Sequence, residues 1–248
     1  ILFNELEEQI LNDGGHYELS TMYHALIVED LLDIYNILTS TKNKESSRLT
    51  LKIIKSLNWL NLISHPDKKI SFFNDAAHSI ASNNDEIFEY AKHLDINFKI
   101  NKPIFTDLFH SGYVVYNNNE AYLIVDTANI GPDFMPGHSH ADTLSFELSI
   151  FKSRFIVNSG TSTYEDNFDR YMQRSTSSHS TLEINNKNSS EVWKSFRVAN
   201  RAKIIRRKIF TKNEPNIIEA AHDGYVNLNS KIVHERKFEI YNNSNYYI

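Results

Sequence analysis

The sequence predicts an α+β protein in which a helical part precedes an antiparallel β part. Apolar residues recur at helical spacing through roughly the first hundred positions, whereas after Asn101-Lys102-Pro103 they alternate with a period of two. A run of helices followed by a run of strands favours separate α and β parts over a parallel sheet with interleaved helices. We therefore place a domain boundary near Lys102, between a helical domain at 1–101 and a β domain at 102–248.

Three amphipathic helices are predicted in the first domain, because their apolar residues form a stripe at a spacing of three or four. They cover residues 2–10, 22–38 and 45–63. His65-Pro66 ends the third helix, since the residue before a proline disfavours helical geometry. The stretch from Ser64 to Ile100 is ambiguous, although 86–94 fits a short helix. Repeated amphipathic helices joined by short loops fit an α/α hairpin array.

Period-two alternation predicts a series of strands in the second domain. The predicted segments are 114–116, 122–124, 144–150, 155–158, 181–184, 197–210, 216–220 and 232–240. Arg201–Lys208 is locally basic, but Ile204 and Ile205 interrupt it as they would in a strand. The formal net charge is -5. Nucleic acid is therefore not an expected partner.

Composition is that of an ordinary globular protein. The 248 residues are 41% hydrophobic and 23% charged, enough for one large domain or two modest ones. No run of eighteen apolar residues predicts a membrane span. Cysteine is absent, so disulfides and thiolate chemistry are excluded. Because the chain begins at Ile1 without a methionine and stops within the apolar run Tyr247-Ile248, we expect a fragment truncated at both ends.

The segment Pro136–Leu148 is the most informative stretch. It places His138, His140 and Asp142 at alternate positions directly before an alternating apolar run. If the segment is extended, the three side chains project from one face, where a metal or an anionic substrate can meet them. The alternative is a pair of surface histidines on a loop.

Other motifs accompany this segment in a fixed order. They are Asp13–His24 upstream and Phe155–Tyr164, Arg170–Arg174 and Ser178–Leu182 downstream. In this combination the chain resembles the heparinase II/III-like family of polysaccharide lyases, from its first residues to about Phe238. The resemblance implies that 1–101 is the C-terminal part of an incomplete α/α toroid. It also implies that 102–248 is an antiparallel β-sandwich, and that the protein is bacterial, in the periplasm or the cytoplasm.

The resemblance also implies the chemistry. β-Elimination of a uronate removes the proton α to the carboxylate and protonates the leaving oxygen, work suited to Tyr and His. Tyr23 matches the family's toroid tyrosine, which acts as general acid and also as base, and Tyr17 is the competing candidate. His138 matches the histidine that works opposite it as base or carboxylate partner. Tyr17 and His24 are assigned to substrate binding.

His140 and His179 match metal-ligand positions of the family. The third ligand in metal-binding members is an aspartate, where this chain has Asn158, a neutral and weaker zinc ligand. Either a structural zinc orients the His138 loop, or the two histidines hydrogen-bond each other, Asn158 or Asp142 and brace that loop. No organic cofactor is expected.

Arg170 and Arg174 lie one helical turn apart and are predicted to grip a carboxylate or sulfate, with a solvated pair as the alternative. Glu18 and Asp142 are candidates for orienting His24 or His138. An exposed Trp193 would stack on a sugar, but we favour a buried tryptophan that anchors two sheets.

The function predicted is a lyase acting on an acidic, uronic-acid-containing polysaccharide. The visible cleft is not basic enough for a densely sulfated polymer, which favours a less sulfated uronate. A degenerate protein that binds glycan or takes part in surface-polysaccharide biosynthesis is the first alternative. A metal-dependent hydrolase built on His138, His140 and His179 is the second. The family's further toroid Asn or His is expected before Ile1, so the fragment alone is expected to have little activity.

Overall fold

The computed structural model describes residues 1–211, 214–228 and 231–241. Five α-helices lie within them: α1 (Leu2–Gln9), α2 (Thr21–Ser40), α3 (Ser46–Leu62), α4 (Asn84–His93) and α5 (Phe168–Arg174). The three predicted helices are confirmed, and α4 occupies the ambiguous stretch. In the described part of the chain, no helix is long and apolar enough to cross a membrane.

Helices α2, α3 and α4 pack against one another around a single apolar cluster. Val28 and Leu32 of α2 and Leu49 and Ile53 of α3 are fully buried in it. Leu49 and Ile53 belong to the stripe predicted for α3, whereas the buried face of α2 is shifted from the predicted one, since Val28 and Leu32 are fully buried and Ile37 is 64% exposed. The side chain of Ser20 caps α2 by accepting a hydrogen bond from the Tyr23 backbone at 3.1 Å.

The β part contains two antiparallel sheets and a short hairpin among the described residues. The first sheet has the order β1 (Phe105–Leu108), β2 (Tyr113–Asn117), β3 (Ala121–Asp126), β4 (Phe146–Ile150) and β5 (Ser153–Ile156). The hairpin pairs β6 (Glu191–Trp193) with β7 (Arg197–Ala199). The second sheet pairs β9 (Asn216–His222) with β8 (Ile204–Phe210) on one side and β10 (His234–Ile240) on the other. Helices followed by antiparallel sheets confirm the α+β class.

Three predicted strand segments were wrong in part. Strand β4 begins at Phe146 and not at residue 144, because Leu144 has a φ of 65°, outside the extended region. The segment 181–184 is not a strand, since the described chain gives it only one isolated bridge, at Ile184. The segment 197–210 is broken into β7 and β8, with Asn200 at a φ of 39° between them. Strands β1 and β6 were not predicted.

The five-stranded sheet is apolar on both faces. One face, which includes Val114 and Val125, packs on Ile218 of the second sheet. The other face packs on the helical part in a cluster that we call the shared core. Its members include Trp59, Ile63 and Phe73 from the helical part and Tyr113, Tyr122 and Ile124 from the sheet. The shared core brings the start of α2 next to the loop that precedes β4.

Candidate active site

A buried carboxylate, Asp75, lies at the centre of the site and holds His138. The Nδ1 atom of His138 lies 2.9 Å from Oδ2 of Asp75, whose side chain is fully buried. The Asp75 backbone N–H also donates to the His138 carbonyl at 3.0 Å. Because a carboxylate only accepts, Nδ1 must carry the proton, and Nε2 of the neutral ring is then free to accept one.

Asp75 also receives hydrogen bonds from three other side chains. His140 Nε2 lies 2.8 Å from it, Thr161 Oγ1 3.0 Å, and Arg170 donates through both terminal nitrogens. Burial by itself would raise the pKa of Asp75, but the hydrogen bonds from His138, His140 and Arg170 outweigh it and hold the pKa far below its usual range. The carboxylate therefore stays ionised.

Asp75 was not among the residues predicted for the site. It lies in the ambiguous stretch between Ser64 and Ile100, and no local spacing connects it to His138, 63 residues further on. Only the fold brings the two together. The expectation that His138, His140 and Asp142 share a strand face is also not met, since strand geometry begins at Phe146.

Tyr23 lies in the first turn of α2, directly against His138. Their ring centroids are 4.1 Å apart. Besides capping α2, the Ser20 hydroxyl donates to the Asp75 carbonyl, which ties the start of the helix to the carboxylate that holds His138. Burial raises the pKa of Tyr23, so its phenol is protonated at neutral pH.

Tyr164 is a second hydroxyl at the site that was quoted within a motif but given no role. Its hydroxyl lies 3.0 Å from that of Tyr23, and its ring centroid lies 6.1 Å from that of His138 and 5.4 Å from that of Phe196. Burial is the largest cause of a strongly raised pKa at Tyr164. Two neutral phenols thus lie beside the imidazole.

The two residues predicted to bind substrate next to Tyr23 differ in exposure. His24 is fully buried; its Nδ1 accepts from the His16 backbone at 3.2 Å and its Nε2 pairs with the Ser56 carbonyl at 2.9 Å. Tyr17 is half-buried, with its ring 5.7 Å from that of Phe134. Only Tyr17 is placed where a ligand can reach it.

A tight turn at Gly14-Gly15 sets the position of the segment that leads into helix α2. Gly14 has a φ of 98°, and a Cβ there would lie 2.3 Å from the Lys55 carbonyl oxygen. A Cβ on Gly15 would lie 2.6 Å from the indole nitrogen of Trp59. Only glycine therefore lets the chain run this close to α3 before it turns into α2.

Arg170 and Arg174, predicted as a substrate grip, are both fully buried in helix α5. Arg170 binds Asp75 and also donates to the Ser195 carbonyl at 2.8 Å. Arg174 donates to the carbonyls of Ser139 at 2.9 Å and Lys194 at 3.0 Å. Their donors are engaged with the protein, and they join the His138 loop to the turn between β6 and β7.

His140 and His179 face each other, with Nδ1 and Nε2 respectively 3.1 Å apart. The other nitrogen of His140 binds the Asp75 carboxylate, and that of His179 lies 2.8 Å from the Ser175 carbonyl. Both of these partners only accept, so the two facing nitrogens are bare in the neutral rings. Bare facing nitrogens backed by acceptors are the arrangement in which histidines hold a cation.

Asn158 does not complete a set of three ligands in the same way. Its Oδ1 already accepts from the Ser180 backbone at 3.2 Å, and its Nδ2 is buried without a partner. Among the described residues, no group of three or more His, Asp or Glu side chains comes together to hold a metal. The residues present thus fit zinc at two positions and not at the third.

The acidic residues and the tryptophan near the motifs have other neighbours than expected. Asp142 is buried beside the carboxyl of Asp126, and burial raises the pKa of Asp142 to about 6. The carboxylate that orients His138 is that of Asp75 and not that of Asp142. Glu18 lies 3.8 Å from Nδ1 of His16. The prediction of a buried Trp193 is wrong, since it is 48% exposed at the end of a two-stranded hairpin.

Two family models together match the whole chain. The sequence matches the description "Heparinase II/III-like, C-terminal" over residues 101–248 and "Heparinase II/III N-terminus" over residues 1–101. No curated protein matches it.

Solved structures similar to the chain include a heparan sulfate lyase and two heparinase III proteins. The heparan sulfate lyase HepC from Pedobacter heparinus superposes with a TM-score of 0.73 at 21% identity, over 97% of this chain and 39% of its own. A heparinase III gene product gives 0.77 at 19%, over 97% and 38%. A further heparinase III gives 0.73 at 19%, over 95% and 40%. The fold is therefore shared, and the chain spans about two fifths of the length of these structures.

Proposed function

The chain belongs to the heparinase II/III-like family, and from this we propose that it carries the active site of a polysaccharide lyase that cleaves an acidic, uronic-acid-containing polysaccharide by β-elimination. The observation that carries the proposal is the placement of Tyr23 against His138, with His138 held by the buried Asp75. An acid and a base on one side of a cleft are what this reaction needs.

His138 acts as the base in this proposal. Asp75 keeps the proton on Nδ1, so Nε2 can take the proton α to the substrate carboxylate. The same carboxylate stabilises the imidazolium that results, because the ion pair forms in a buried setting.

Tyr23 acts as the acid. Its raised pKa keeps the phenol protonated until the leaving 4-oxygen takes the proton. Tyr164, hydrogen-bonded to Tyr23 at 3.0 Å, orients that hydroxyl and donates to the phenolate as it forms. Arg170 and Arg174 act as positioning residues, since both are buried and bound to protein groups.

A structural zinc remains part of the proposal. His140 and His179 would hold it through their facing nitrogens, with Asn158 as a poor third ligand. When bound, the ion would brace the loop of His138, with no part in proton transfer. Without metal, His140 and His179 still brace the loop through their hydrogen bonds to the Asp75 carboxylate and the Ser175 carbonyl.

For the architecture, we propose that 1–101 belongs to an α/α toroid and 102–248 to an antiparallel β-sandwich. The packed helices α2 to α4 and the face-to-face packing of the two sheets support this division.

The test is to incubate the full-length protein with a panel of uronate polysaccharides and follow ultraviolet absorbance. A lyase produces a conjugated double bond, so absorbance rises, and Tyr23→Phe removes the rise. Chain shortening without absorbance would show hydrolysis and overturn the proposal.

A degenerate glycan-binding protein is the second candidate, and Asn158 at the place of a metal-binding carboxylate is the observation that favours it. It predicts glycan binding with flat absorbance on every substrate, equal for the native protein and Tyr23→Phe.

A further inference from the structure

A cleft of about 800 Å³ opens beside His138, and Tyr23 is not among the residues that line it. One wall is the loop Phe134–His138, and the other is the turn from Lys194 to Val198. The two walls meet at the base, where a Cβ on Gly137 would lie 3.8 Å from that of Phe196. The catalytic roles assigned above use only the end of this cleft at His138.

The cleft walls are fixed to the proposed catalytic residues. Arg174 donates both to the carbonyl of Ser139, the residue that follows the first wall, and to the carbonyl of Lys194 in the second. Arg170 joins Ser195 to Asp75. A ligand lying in the cleft is thus held in register with His138, because buried guanidinium groups set both walls.

Two exposed aromatic rings line the cleft. Phe134 is 62% exposed and Phe196 44% exposed, and Tyr17 lies beside Phe134. Exposed aromatic rings on either side of a cleft fit the apolar faces of sugar rings, which stack on them while their hydroxyls stay in water. This is a surface for a saccharide chain.

The charges of the cleft narrow the class of saccharide. Among the described residues, three cationic side chains line it, and two of them have an acidic partner: Lys194 pairs with Asp166 at 2.7 Å, and Arg201 lies 3.9 Å from the Asp133 carboxylate and also donates to the Asp133 carbonyl at 2.6 Å. In the described part of the chain, Arg197 forms no hydrogen bond or ion pair with another side chain. One free guanidinium is suited to one carboxylate.

Among the described residues, two acidic side chains line the cleft, Glu18 and Asp166, and Asp166 is paired with Lys194. The basic group that lies within 4 Å of Glu18 is His16, at 3.8 Å, and burial lowers the pKa of His16 to about 3, so the neutral imidazole forms no ion pair with Glu18. The two unpaired charges of the cleft, on Arg197 and Glu18, therefore nearly cancel. A chain with a sulfate on every sugar would bring several anions close to Glu18 with one cation to meet them.

We infer that this cleft is a distal subsite for an unsulfated uronate chain, in which Arg197 binds the carboxylate of a uronic acid next to the cleaved unit while Phe134 and Phe196 stack on sugar rings. The inference rests on the proposed function and names its substrate class.

The test measures binding and turnover separately. Binding is measured by calorimetry in the Tyr23→Phe background with three probes: an unsulfated uronate hexasaccharide, a heparin hexasaccharide and cellohexaose. Turnover of the unsulfated polymer is measured in the otherwise native protein. The variants are Arg197→Gln, Arg197→Lys and Phe134→Ala, with Lys42→Gln as an exposed cation far from the cleft for control.

Arg197→Gln is expected to raise both Kd for the unsulfated hexasaccharide and KM for the polymer about tenfold, with kcat changed less than twofold, because a charge-assisted hydrogen bond is lost. Arg197→Lys recovers part of the loss, and Lys42→Gln changes nothing. The loss shrinks at high salt. Phe134→Ala raises Kd for the unsulfated hexasaccharide as well.

Two outcomes would overturn the inference: unchanged Kd and KM in Arg197→Gln, or tighter binding of the heparin hexasaccharide than of the unsulfated one. Failure of the proposed function looks different. It gives no turnover in any variant, while the Arg197-dependent binding persists.

Discussion

Replacing Asp75 with asparagine is expected to disable His138 without moving it. The amide keeps the size of the carboxylate but can present an N–H to His138 Nδ1, which lies 2.9 Å away in the native protein. Nδ1 would then accept, the proton would move to Nε2, and the ring could no longer take a proton from substrate. The substitution therefore tests whether the buried carboxylate sets the tautomer of the base.

The size of the effect follows from two contributions. Loss of a general base lowers kcat by about 10²–10⁴-fold. In addition, Arg170 donates to Asp75 through both terminal nitrogens in a fully buried pair, and removing one charge of such a pair costs about 3–5 kcal/mol of folding stability. We expect a folded but less stable protein with very low turnover.

The assay combines initial rates from ultraviolet absorbance with urea unfolding of the same preparations. Asp126→Asn is the matched control, because burial raises the pKa of Asp126 well above its usual range and the amide imitates a carboxyl that is already neutral. If folded Asp75→Asn kept kcat within about threefold of the native value, Asp75 would not orient the base and the assignment of His138 would fail.

Three further outcomes are expected. Tyr23→Phe should lower kcat at least about 10²-fold while glycan affinity stays unchanged, and turnover that survives would remove Tyr23 as the acid. Burial lowers the pKa of His24 from 6.5 to about 4, so the neutral ring contributes fully to folding stability above pH 6.5. That contribution, about 3 kcal/mol in all, is lost as the pH falls toward 4. Urea unfolding at several pH values should therefore show a smaller loss of stability at acid pH in His24→Gln than in the native protein. Added zinc should raise the melting temperature of metal-free protein but not that of His179→Gln, with His222→Gln, at a separate buried pair, as the responsive control. A melting temperature indifferent to zinc in all three proteins would show that His140 and His179 hold no zinc.

The order of elements was predictable because long amphipathic helices leave a clear period in the sequence. Short or irregular elements were not. Strand β6 has three residues, too few to show a period in the sequence. Strand β4 starts later than predicted because Leu144 takes a left-handed conformation, which cannot be predicted from an apolar side chain. The local sequence pattern therefore predicts the fold class and the helices more accurately than the residues at which strands begin and end.

The site was predictable only in the parts that the motifs contain. Tyr23 and His138 stand in motifs and meet in the fold at 4.1 Å. Asp75 is linked to His138 only by tertiary structure, so no spacing could reveal it. The burial of Arg170 and Arg174 could not be predicted from the sequence either, because the same Arg-x-x-x-Arg spacing occurs on exposed and on buried helices.

The shared core between α3 and the five-stranded sheet limits how such proteins can diverge. The ring centroid of Trp59 lies 4.3 Å from that of His24, and its indole nitrogen donates to Ser111 at 2.9 Å, so Trp59 contacts both the helix of Tyr23 and the β part. The proposed acid, Tyr23, and the proposed base, His138, come from opposite sides of this core. A chimera that joins the helices of one relative to the sheets of another would keep every catalytic side chain and still misplace the acid against the base. The two halves are therefore expected to be inherited together, as one unit of recombination.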